Sequence, residues 1–202
     1  QNEEDIHAIT ASQVFNIPLS MVTPIMRSRA KAVNFGIVYG IGAFSLSKDI
    51  GVTRKEAANY IQAYLKHYSG VDAYMRHIVE KAKSDGYVET LYGRRRYLPE
   101  LASSNFNLRS FGERVARNMP IQGTAADIIK IAMIRVDRRL RKEGMRARLI
   151  LQVHDELLVE APADEAMRAA MLLQEEMEAA CKLRVPLVAQ AAIGRTWFDA
   201  KG

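Results

Sequence analysis

The sequence of 202 residues holds a single cysteine, Cys181. A lone cysteine excludes a disulfide within the chain and a metal site built from several thiolates, and it suits a reducing compartment such as the cytoplasm. The sequence also lacks a signal peptide and any run of about 18 apolar residues, so it predicts neither secretion nor a membrane span. Because the first residue is Gln rather than Met, we expect that the chain was cut from a longer protein.

The composition is that of a folded globular protein. Hydrophobic residues make up 49% of the chain and charged residues 26%, which argues against disorder, and the length suits one or two compact domains. The formal net charge of +6 favours an anionic partner. An excess of this size is also common in proteins that bind no nucleic acid, so charge alone leaves the partner open.

The rest of the chain is organised around the segment 24–42, PIMRSRAKAVNFGIVYGIG. Thr23 is suited to the N-cap of a helix, and Pro24 is suited to the first helical position, whose amide has no partner in any case. Gly40 and Gly42 are typical helix-ending residues. The segment therefore predicts a helix of about four turns.

Four side chains recur at four-residue spacing along this predicted helix, namely Arg27, Lys31, Phe35 and Tyr39. Since four residues advance about 400° around a helix, these side chains form one slowly winding stripe. Two cations one turn apart repel each other unless an anion lies between them, and adjacent rings suit a base, so the stripe fits a nucleotide. The alternative is an ordinary amphipathic helix with its two rings in the core, and the spacing alone favours that alternative.

The motifs are more specific than the spacing. Arg27, Lys31, Asn34, Phe35, Tyr39 and Gly40 match the pattern R-x-x-x-K-x-x-N-F-x-x-x-Y-G. The chain also contains TLYGRRR at 90–96, RNMPIQGTAAD at 117–127 and QVHDE at 152–156. With these four motifs in this order, nearly the whole chain resembles family A DNA polymerases, the bacterial DNA polymerase I type.

The resemblance implies a site for a deoxynucleoside triphosphate on the predicted helix. Arg27 and Lys31 would face the triphosphate together with His7, which would otherwise be an ordinary surface residue. Phe35 would lie against the nucleotide and favour deoxy over dideoxy substrates, and Tyr39 would stack where the next template base waits. Rotation of the helix would close the site over a correct base pair.

The segment YVETLYGRRRYLP predicts a β-hairpin that turns at Tyr92 and Gly93. Runs of like charge are usually solvated, but arginines on a rigid turn can also bind phosphate oxygens without reading sequence. The resemblance puts this hairpin by the template strand, and it implies that Arg94 and Arg96 contact the template backbone.

Arg114, Asn118 and Gln122 lie four residues apart on one face of a helix predicted from Leu108, which Pro120 must kink or interrupt. The two amides could cap the break, or they could donate to minor-groove acceptors that all base pairs share. The resemblance favours the second use, with Arg114 on a nearby phosphate.

The segment RLILQVHDELLVE predicts a hairpin that turns at His154, Asp155 and Glu156. Asp155 could simply stabilise the turn, or it could be an oxygen ligand of Mg²⁺. The resemblance implies the second role, in a two-metal site that activates the primer 3′-hydroxyl and steadies the leaving pyrophosphate. It gives Glu156 an outer or weaker metal role and puts His154 near the primer end.

Two features limit the interpretation of this acidic turn. A Ser-His-Asp hydrolase is excluded, because the sequence has no G-x-S-x-G motif and adjacent residues of a strand point to opposite faces. The D-Y-S-x-x-E segment, which carries the second metal-binding Asp of the family and a Glu that helps to exclude ribonucleotides, is also absent. We therefore expect that this chain alone is inactive.

The remaining segments predict packing elements. Thr53 and Glu56 form a capping box, and further helices are expected over 71–84, 124–141 and 164–183, with an additional strand over 185–193. Trp197 and Phe198 are expected to pack the end of the chain against the domain.

The patterns predict an α+β protein with a small antiparallel sheet covered by helices. The resemblance implies a helical fingers part (1–104) and part of a palm (105–202), without its upstream segment and the thumb. The expected function is template-directed DNA synthesis in replication and repair. The expected partners are primer-template DNA, deoxynucleoside triphosphates, Mg²⁺ and the remainder of the polymerase with its thumb, in the cytoplasm and without a membrane. The alternative is a non-catalytic nucleotide- and DNA-binding module. A third possibility, a basic helical scaffold protein, would require the four ordered motifs to be coincidental.

Overall fold

A computed structural model of the chain describes residues 5–201. Its helices are α1 (Ile6–Phe15), α2 (Pro24–Val38), α3 (Ala43–Ile50), α4 (Arg54–His67), α5 (Ser69–Asp85), α6 (Phe106–Lys142), α7 (Ala166–Glu178) and α8 (Trp197–Lys201). Its strands are β1 (Tyr87–Glu89), β2 (Arg95–Tyr97), β3 (Arg148–Val153) and β4 (Glu156–Glu160). Helices dominate and the strands form two antiparallel pairs, so the predicted α+β class is confirmed.

The chain divides into two compact units, Gln1–Ile121 and Gln122–Gly202, so the division falls inside α6. The boundary predicted near residue 104 separates a fingers part from a palm part, and that assignment stays a prediction. No helix among residues 5–201 is long and apolar enough to cross a membrane.

Local signals set the ends of α2 as predicted. The Thr23 hydroxyl accepts a hydrogen bond from the Met26 amide at 3.3 Å, and Pro24 occupies the first turn. Gly40 has a φ of +71°, a backbone conformation that glycine adopts without steric cost. The chain then folds back so that the Ile41 amide donates to the Gly36 carbonyl at 2.7 Å.

Two apolar clusters form the core of the first unit. In one cluster, Val33 and Ile37 of α2 pack with Leu46 of α3 and Ala57 of α4. The predicted capping box at the start of α4 is confirmed, since the Thr53 amide donates to the Glu56 carboxylate and the Glu56 amide donates to the Thr53 hydroxyl. One face of α2 is thus fixed, and its opposite face is exposed.

The second cluster joins α5 to the first hairpin and to the start of α6. It includes Val79, Val88, Leu98 and Ala116, all buried. The predicted β1–β2 hairpin is confirmed, with Val88 opposite Arg96 and Gly93 in the turn at a φ of +76°.

Helix α6 is continuous from Phe106 to Lys142, so Pro120 does not interrupt it, and the other expected outcome, a kink at Pro120, stays a prediction. A proline inside a helix costs about 3 kcal/mol, because it removes one backbone hydrogen bond and crowds the preceding turn. Packing on both sides offsets that cost. Ala116 lies in the second cluster of the first unit, and Val136 and Leu140 lie in the core of the second unit.

The second unit packs α6 and α7 with the β3–β4 hairpin, as predicted. Its core includes Val136, Leu140, Leu157 and Leu172. The strands pair antiparallel with Val153 opposite Glu156, and the register shifts between Leu149 and Leu151.

Ion pairs join α6 to α7 on the surface of the second unit. The Arg135 guanidinium contacts Glu176 at 2.7 Å, and the Arg139 guanidinium contacts Glu175 at 2.7 Å. Arg139 also contacts Glu143, the residue directly after α6, at 2.9 Å. Hydrogen bonds from Arg139, and then from Arg168, hold the pKa of Glu143 below its usual range.

Three expectations for the last 40 residues need correction. Helix α7 spans Ala166–Glu178 rather than 164–183, and the segment 185–193 forms no strand. A strand requires a partner edge, and Pro186 lacks an amide donor, while the Ala189 amide donates to the Glu178 carboxylate at 3.1 Å. Phe198 is 87% exposed rather than packed against the domain.

Candidate active site

The stripe on α2 lies on the exposed face of the helix. The side chains of Arg27 and Lys31 are exposed, and the rings of Phe35 and Tyr39 are 46% and 41% exposed. The two rings stack with centroids 6.4 Å apart and planes 14° apart. The aromatic residues are therefore on the surface rather than in the core, as the nucleotide-site interpretation requires.

Arg27 is held by Asp5. Asp5 caps α1 by accepting the His7 amide at 2.9 Å and the Ala8 amide at 3.3 Å, and its carboxylate also pairs with the Arg27 guanidinium. The hydrogen bond from Arg27 holds the pKa of Asp5 below its usual range. Lys31, by contrast, forms no ion pair in the part of the chain that the structure describes, and its side chain is exposed.

His7 lies beside the stripe and is oriented by Asn34. The Asn34 amide nitrogen lies 2.9 Å from Nδ1 of His7, and the His7 ring centroid is 5.8 Å from that of Phe35. An amide that donates to Nδ1 requires the tautomer with its proton on Nε2, which can donate to a phosphate oxygen. The Oδ1 atom of Asn34 is buried without a hydrogen-bond partner among the described residues.

A cavity of about 630 Å³ lies at the C-terminal end of α2. Phe35, Gly36 and Tyr39 line one part of it, and Ser45, Asp49 and Arg114 supply polar groups. A cavity with aromatic walls and a few polar groups is typical of a site for a planar ligand.

The three arginines of the first hairpin have different surroundings. The Arg95 guanidinium contacts the Glu89 carboxylate at 3.3 Å and lies 4.4 Å from the Tyr87 ring centroid, so it is held on the hairpin. The Arg94 carbonyl accepts the Thr90 amide at 3.0 Å, which fixes the turn. Arg94 and Arg96 are both exposed.

Three residues of α6 are predicted to contact DNA. Arg114 and Asn118 lie in the first unit, and Gln122 lies in the second. Arg114 is exposed, and its guanidinium lies 5.9 Å from the Phe111 ring centroid. The Oδ1 atom of Asn118 is buried and has no hydrogen-bond partner within residues 5–201. Gln122 is exposed and belongs to the second unit.

The acidic turn joins β3 to β4. His154 has a φ of +52°, and its carbonyl accepts a hydrogen bond from the Gln152 side chain at 2.6 Å. The Asp155 side chain is exposed and makes no hydrogen bond or ion pair to any residue of the described range 5–201. The Glu156 carboxylate, in contrast, accepts from the Trp197 indole at 3.3 Å and contacts the Lys201 ammonium at 3.1 Å.

The donor set of this turn fits a magnesium ion only in part. Within residues 5–201, no three His, Cys, Asp or Glu side chains come together as a metal cluster. Magnesium ions, however, are usually bound through one or two carboxylates together with substrate phosphates and water. Asp155, an exposed carboxylate with no partner among residues 5–201, fits one such ligand, whereas Glu156 already has two partners.

The structure brings together five of the predicted residues around α2, namely His7, Arg27, Lys31, Phe35 and Tyr39. It adds two that the sequence reasoning did not assign to the site, Asp5 and Asn34. Asn34 was identified only as a letter of the motif. In the sequence, Asp5 and Asn34 each lie close to a predicted phosphate contact. Their contacts in the structure, from Asp5 to Arg27 and from Asn34 to His7, join residues 22 and 27 positions apart.

Comparisons with known proteins agree on one family. The family model for DNA polymerase family A matches residues 1–199. DNA polymerase I of Bacillus caldotenax is 55% identical over 197 residues, which are 98% of this chain and 22% of that protein. DNA polymerase I of Bacillus subtilis (strain 168) is 54% identical over 200 residues, which are 99% of this chain and 23% of that protein. This chain thus spans less than a quarter of the length of these relatives.

A solved structure is similar over almost the same range. It is the POL domain of Pol1 from M. smegmatis in complex with a DNA primer-template and dNTP. The TM-score is 0.93 at 45% sequence identity, covering 98% of this chain and 35% of that one.

Proposed function

The chain belongs to DNA polymerase family A, and from that premise we propose that it is part of a DNA-directed DNA polymerase of replication and repair. The polymerase would add deoxynucleotides to a primer 3′ end in the cytoplasm. The observation that carries the proposal is the exposed face of α2, where two cations and two stacked rings lie beside His7. A related domain, 45% identical, has been solved with primer-template and dNTP.

In this proposal the first half of the α2 stripe binds the triphosphate. Lys31 offers an ammonium with no ion pair among residues 5–201, and His7 offers its Nε2 proton. Arg27 adds a guanidinium that Asp5 holds in place. Phe35 lies against the base or sugar, because a flat ring on the surface is favourable for stacking.

The second half of the α2 stripe would contact the template strand. Tyr39 lies on the wall of the cavity at the end of α2, which can accommodate an unpaired base. We propose that this cavity is where the next template base waits before it pairs.

DNA contacts are proposed for Arg94, Arg96, Arg114, Asn118, Gln122 and His154. The arginines would bind backbone phosphates, and the two amides would donate to minor-groove acceptors without reading sequence. His154 would lie near the primer end.

Asp155 would hold Mg²⁺ as an oxygen ligand, with Glu156 in an outer role. When bound, Mg²⁺ stabilises negative charge on the attacking and leaving oxygens of phosphoryl transfer. Lys31 would neutralise charge on the triphosphate in the same reaction.

We propose that residues 1–104 act as fingers and residues 105–202 as most of a palm, and that the chain alone does not extend primers. The sequence has no D-Y-S-x-x-E segment, and no metal cluster of three ligands forms within residues 5–201. The remainder of the polymerase, with that motif and a thumb, would complete the enzyme. The same two observations also favour the second candidate, a non-catalytic nucleotide- and DNA-binding module.

The test of nucleotide binding compares Lys31→Ala with Lys55→Ala, which removes an exposed lysine of α4. Calorimetry with a deoxynucleoside triphosphate and Mg²⁺ should show roughly tenfold weaker binding for Lys31→Ala, because a charge-assisted contact contributes about 1.5 to 3 kcal/mol. Lys55→Ala should bind like the wild type. Equal affinities for all three proteins would contradict the proposed site on α2.

A further inference from the structure

The carboxylate of Glu156 is held by two residues of α8. The Trp197 indole nitrogen donates to one oxygen at 3.3 Å, and the Lys201 ammonium contacts the other oxygen at 3.1 Å. The Lys201 ammonium also lies 4.9 Å from the Trp197 ring centroid. Trp197, Lys201 and Glu156 therefore form one connected group, which we call the Glu156 clamp.

Local contacts hold α8 in the position that the clamp requires. Thr196 and Asp199 form a reciprocal cap, since the Thr196 amide and hydroxyl donate to the Asp199 carboxylate and the Asp199 amide donates to the Thr196 hydroxyl. A Cβ atom at Gly194 would lie 2.6 Å from the Ala200 amide nitrogen, so only glycine permits this close approach.

The clamp is poorly explained as a device for stability. The Lys201 and Glu156 side chains are 53% and 43% exposed, and ion pairs at that exposure contribute little to folding. Its position beside Asp155 offers another explanation. Two adjacent carboxylates on one turn would both attract a cation, yet only Asp155 is left without a partner in the described part of the chain.

We infer that Trp197 and Lys201 are positioning residues that keep Glu156 from binding the metal ion, so that the turn offers the single carboxylate of Asp155. This inference rests on the proposed function, because it takes Asp155 as a metal ligand. One ligand from the turn leaves the ion's other positions for substrate oxygens and water. The Lys201 charge also weakens the attraction of the turn for cations.

The direction of the change in metal affinity distinguishes this role from a merely structural one. Lys201→Gln removes the cation and releases Glu156, so the 202-residue chain should bind Mn²⁺, a paramagnetic substitute for Mg²⁺, more tightly. We expect roughly threefold tighter binding, the size expected for one screened unit charge near the ion. Damage to the turn would instead weaken binding.

Two readouts are independent of catalysis. The concentration of free Mn²⁺ is measured by electron paramagnetic resonance, which gives the dissociation constant for each variant. Trp197 is the only tryptophan of the chain, so quenching of its fluorescence by Mn²⁺ reports whether the ion binds near the clamp.

Three further variants complete the test. Lys201→Arg keeps the charge and should restore the wild-type affinity, and Trp197→Phe removes the indole donor and should tighten binding as Lys201→Gln does. Lys142→Gln removes an exposed lysine elsewhere in the second unit and should leave the affinity unchanged. Circular dichroism shows whether each variant is folded.

Failure of the inference is distinguishable from failure of the proposed function. If Asp155→Asn abolishes Mn²⁺ quenching but Lys201→Gln leaves the affinity unchanged or lower, the clamp role is overturned and the metal role of Asp155 stands. If Asp155→Asn binds Mn²⁺ and quenches Trp197 as the wild type does, the metal role of Asp155 fails and the clamp role fails with it.

Discussion

The amide nitrogen of Asn34 donates to Nδ1 of His7 across 2.9 Å, so a residue in the middle of α2 fixes the tautomer of a residue in the first turn of α1. Sequence alone gave His7 a role only through resemblance. The hydrogen bond adds a physical reason, because it leaves the proton on Nε2.

Asn34→Ala should therefore weaken nucleotide binding through His7, although Asn34 is not proposed to contact the nucleotide. Loss of one hydrogen bond of about 1 kcal/mol predicts an affinity roughly fivefold lower, measured by calorimetry with a deoxynucleoside triphosphate. Asn59→Ala, on the exposed face of α4, is the matched control. If both variants bind as the wild type does, Asn34 does not orient His7.

Gly40→Ala should destabilise the end of α2. Gly40 has a φ of +71°, and a Cβ atom there would lie 3.3 Å from the Arg117 guanidinium. The left-handed conformation alone costs an alanine about 1 to 2 kcal/mol, so the thermal midpoint should fall. Gly70→Ala, in a helical position of α5 with open space around it, should leave the midpoint unchanged or raise it.

Arg96→Ala should reduce both the affinity for duplex DNA and its dependence on salt. Each lost phosphate contact lowers the slope of the logarithm of affinity against the logarithm of salt concentration by about 0.9. Fluorescence anisotropy at several salt concentrations measures that slope. Arg76→Ala removes an arginine that already pairs with Asp72 on α5, and the same slope change in both variants would argue against a specific hairpin contact.

Acid should destabilise the second unit through Glu143. Since Arg139 and Arg168 lower the pKa of this carboxyl in the folded state, its stabilising effect is present above the unfolded-state pKa and is lost as pH falls through the folded-state pKa. The urea midpoint should be steady from pH 7 to about pH 5 and fall below about pH 4.

The variant Glu143→Gln isolates this effect. Its urea midpoint should lie below that of the wild type at pH 7, and the difference should close as the pH falls below about 4. Glu160→Gln, which removes a carboxyl with no ion pair in the described chain, should follow the wild type at every pH. A difference between Glu143→Gln and wild type that persists at low pH would contradict the assignment.

Elements with local signals were predictable from the sequence. Thr23 marks the start of α2 and Gly40 marks its end, while Thr53 caps α4 and Gly93 lies in the turn of the first hairpin. Each of these residues acts within a few positions of its own place in the sequence. No helix was predicted at α3, although Gly51, directly after its last residue, has a φ of +65° and is a typical helix-ending glycine.

Features that depend on distant packing were not predictable. The apolar segment 185–193 has the composition of a strand but pairs with no strand in the described chain. Helix α6 continues through Pro120 because both of its halves are packed. In the site, the bond from Trp197 to Glu156 spans 41 residues and leaves no trace in local sequence.

The most direct test of the account is primer extension with Mg²⁺ and all four deoxynucleotides. Three proteins are compared: this chain, a version extended upstream through the D-Y-S-x-x-E segment and thumb, and that extended version with Asp155→Asn. Extension is expected only for the longer wild-type protein, because an amide is a poor replacement for the proposed metal ligand Asp155. Equal extension by the Asp155→Asn protein would contradict the proposed active site, and it would make the binding-module function the better explanation of this chain.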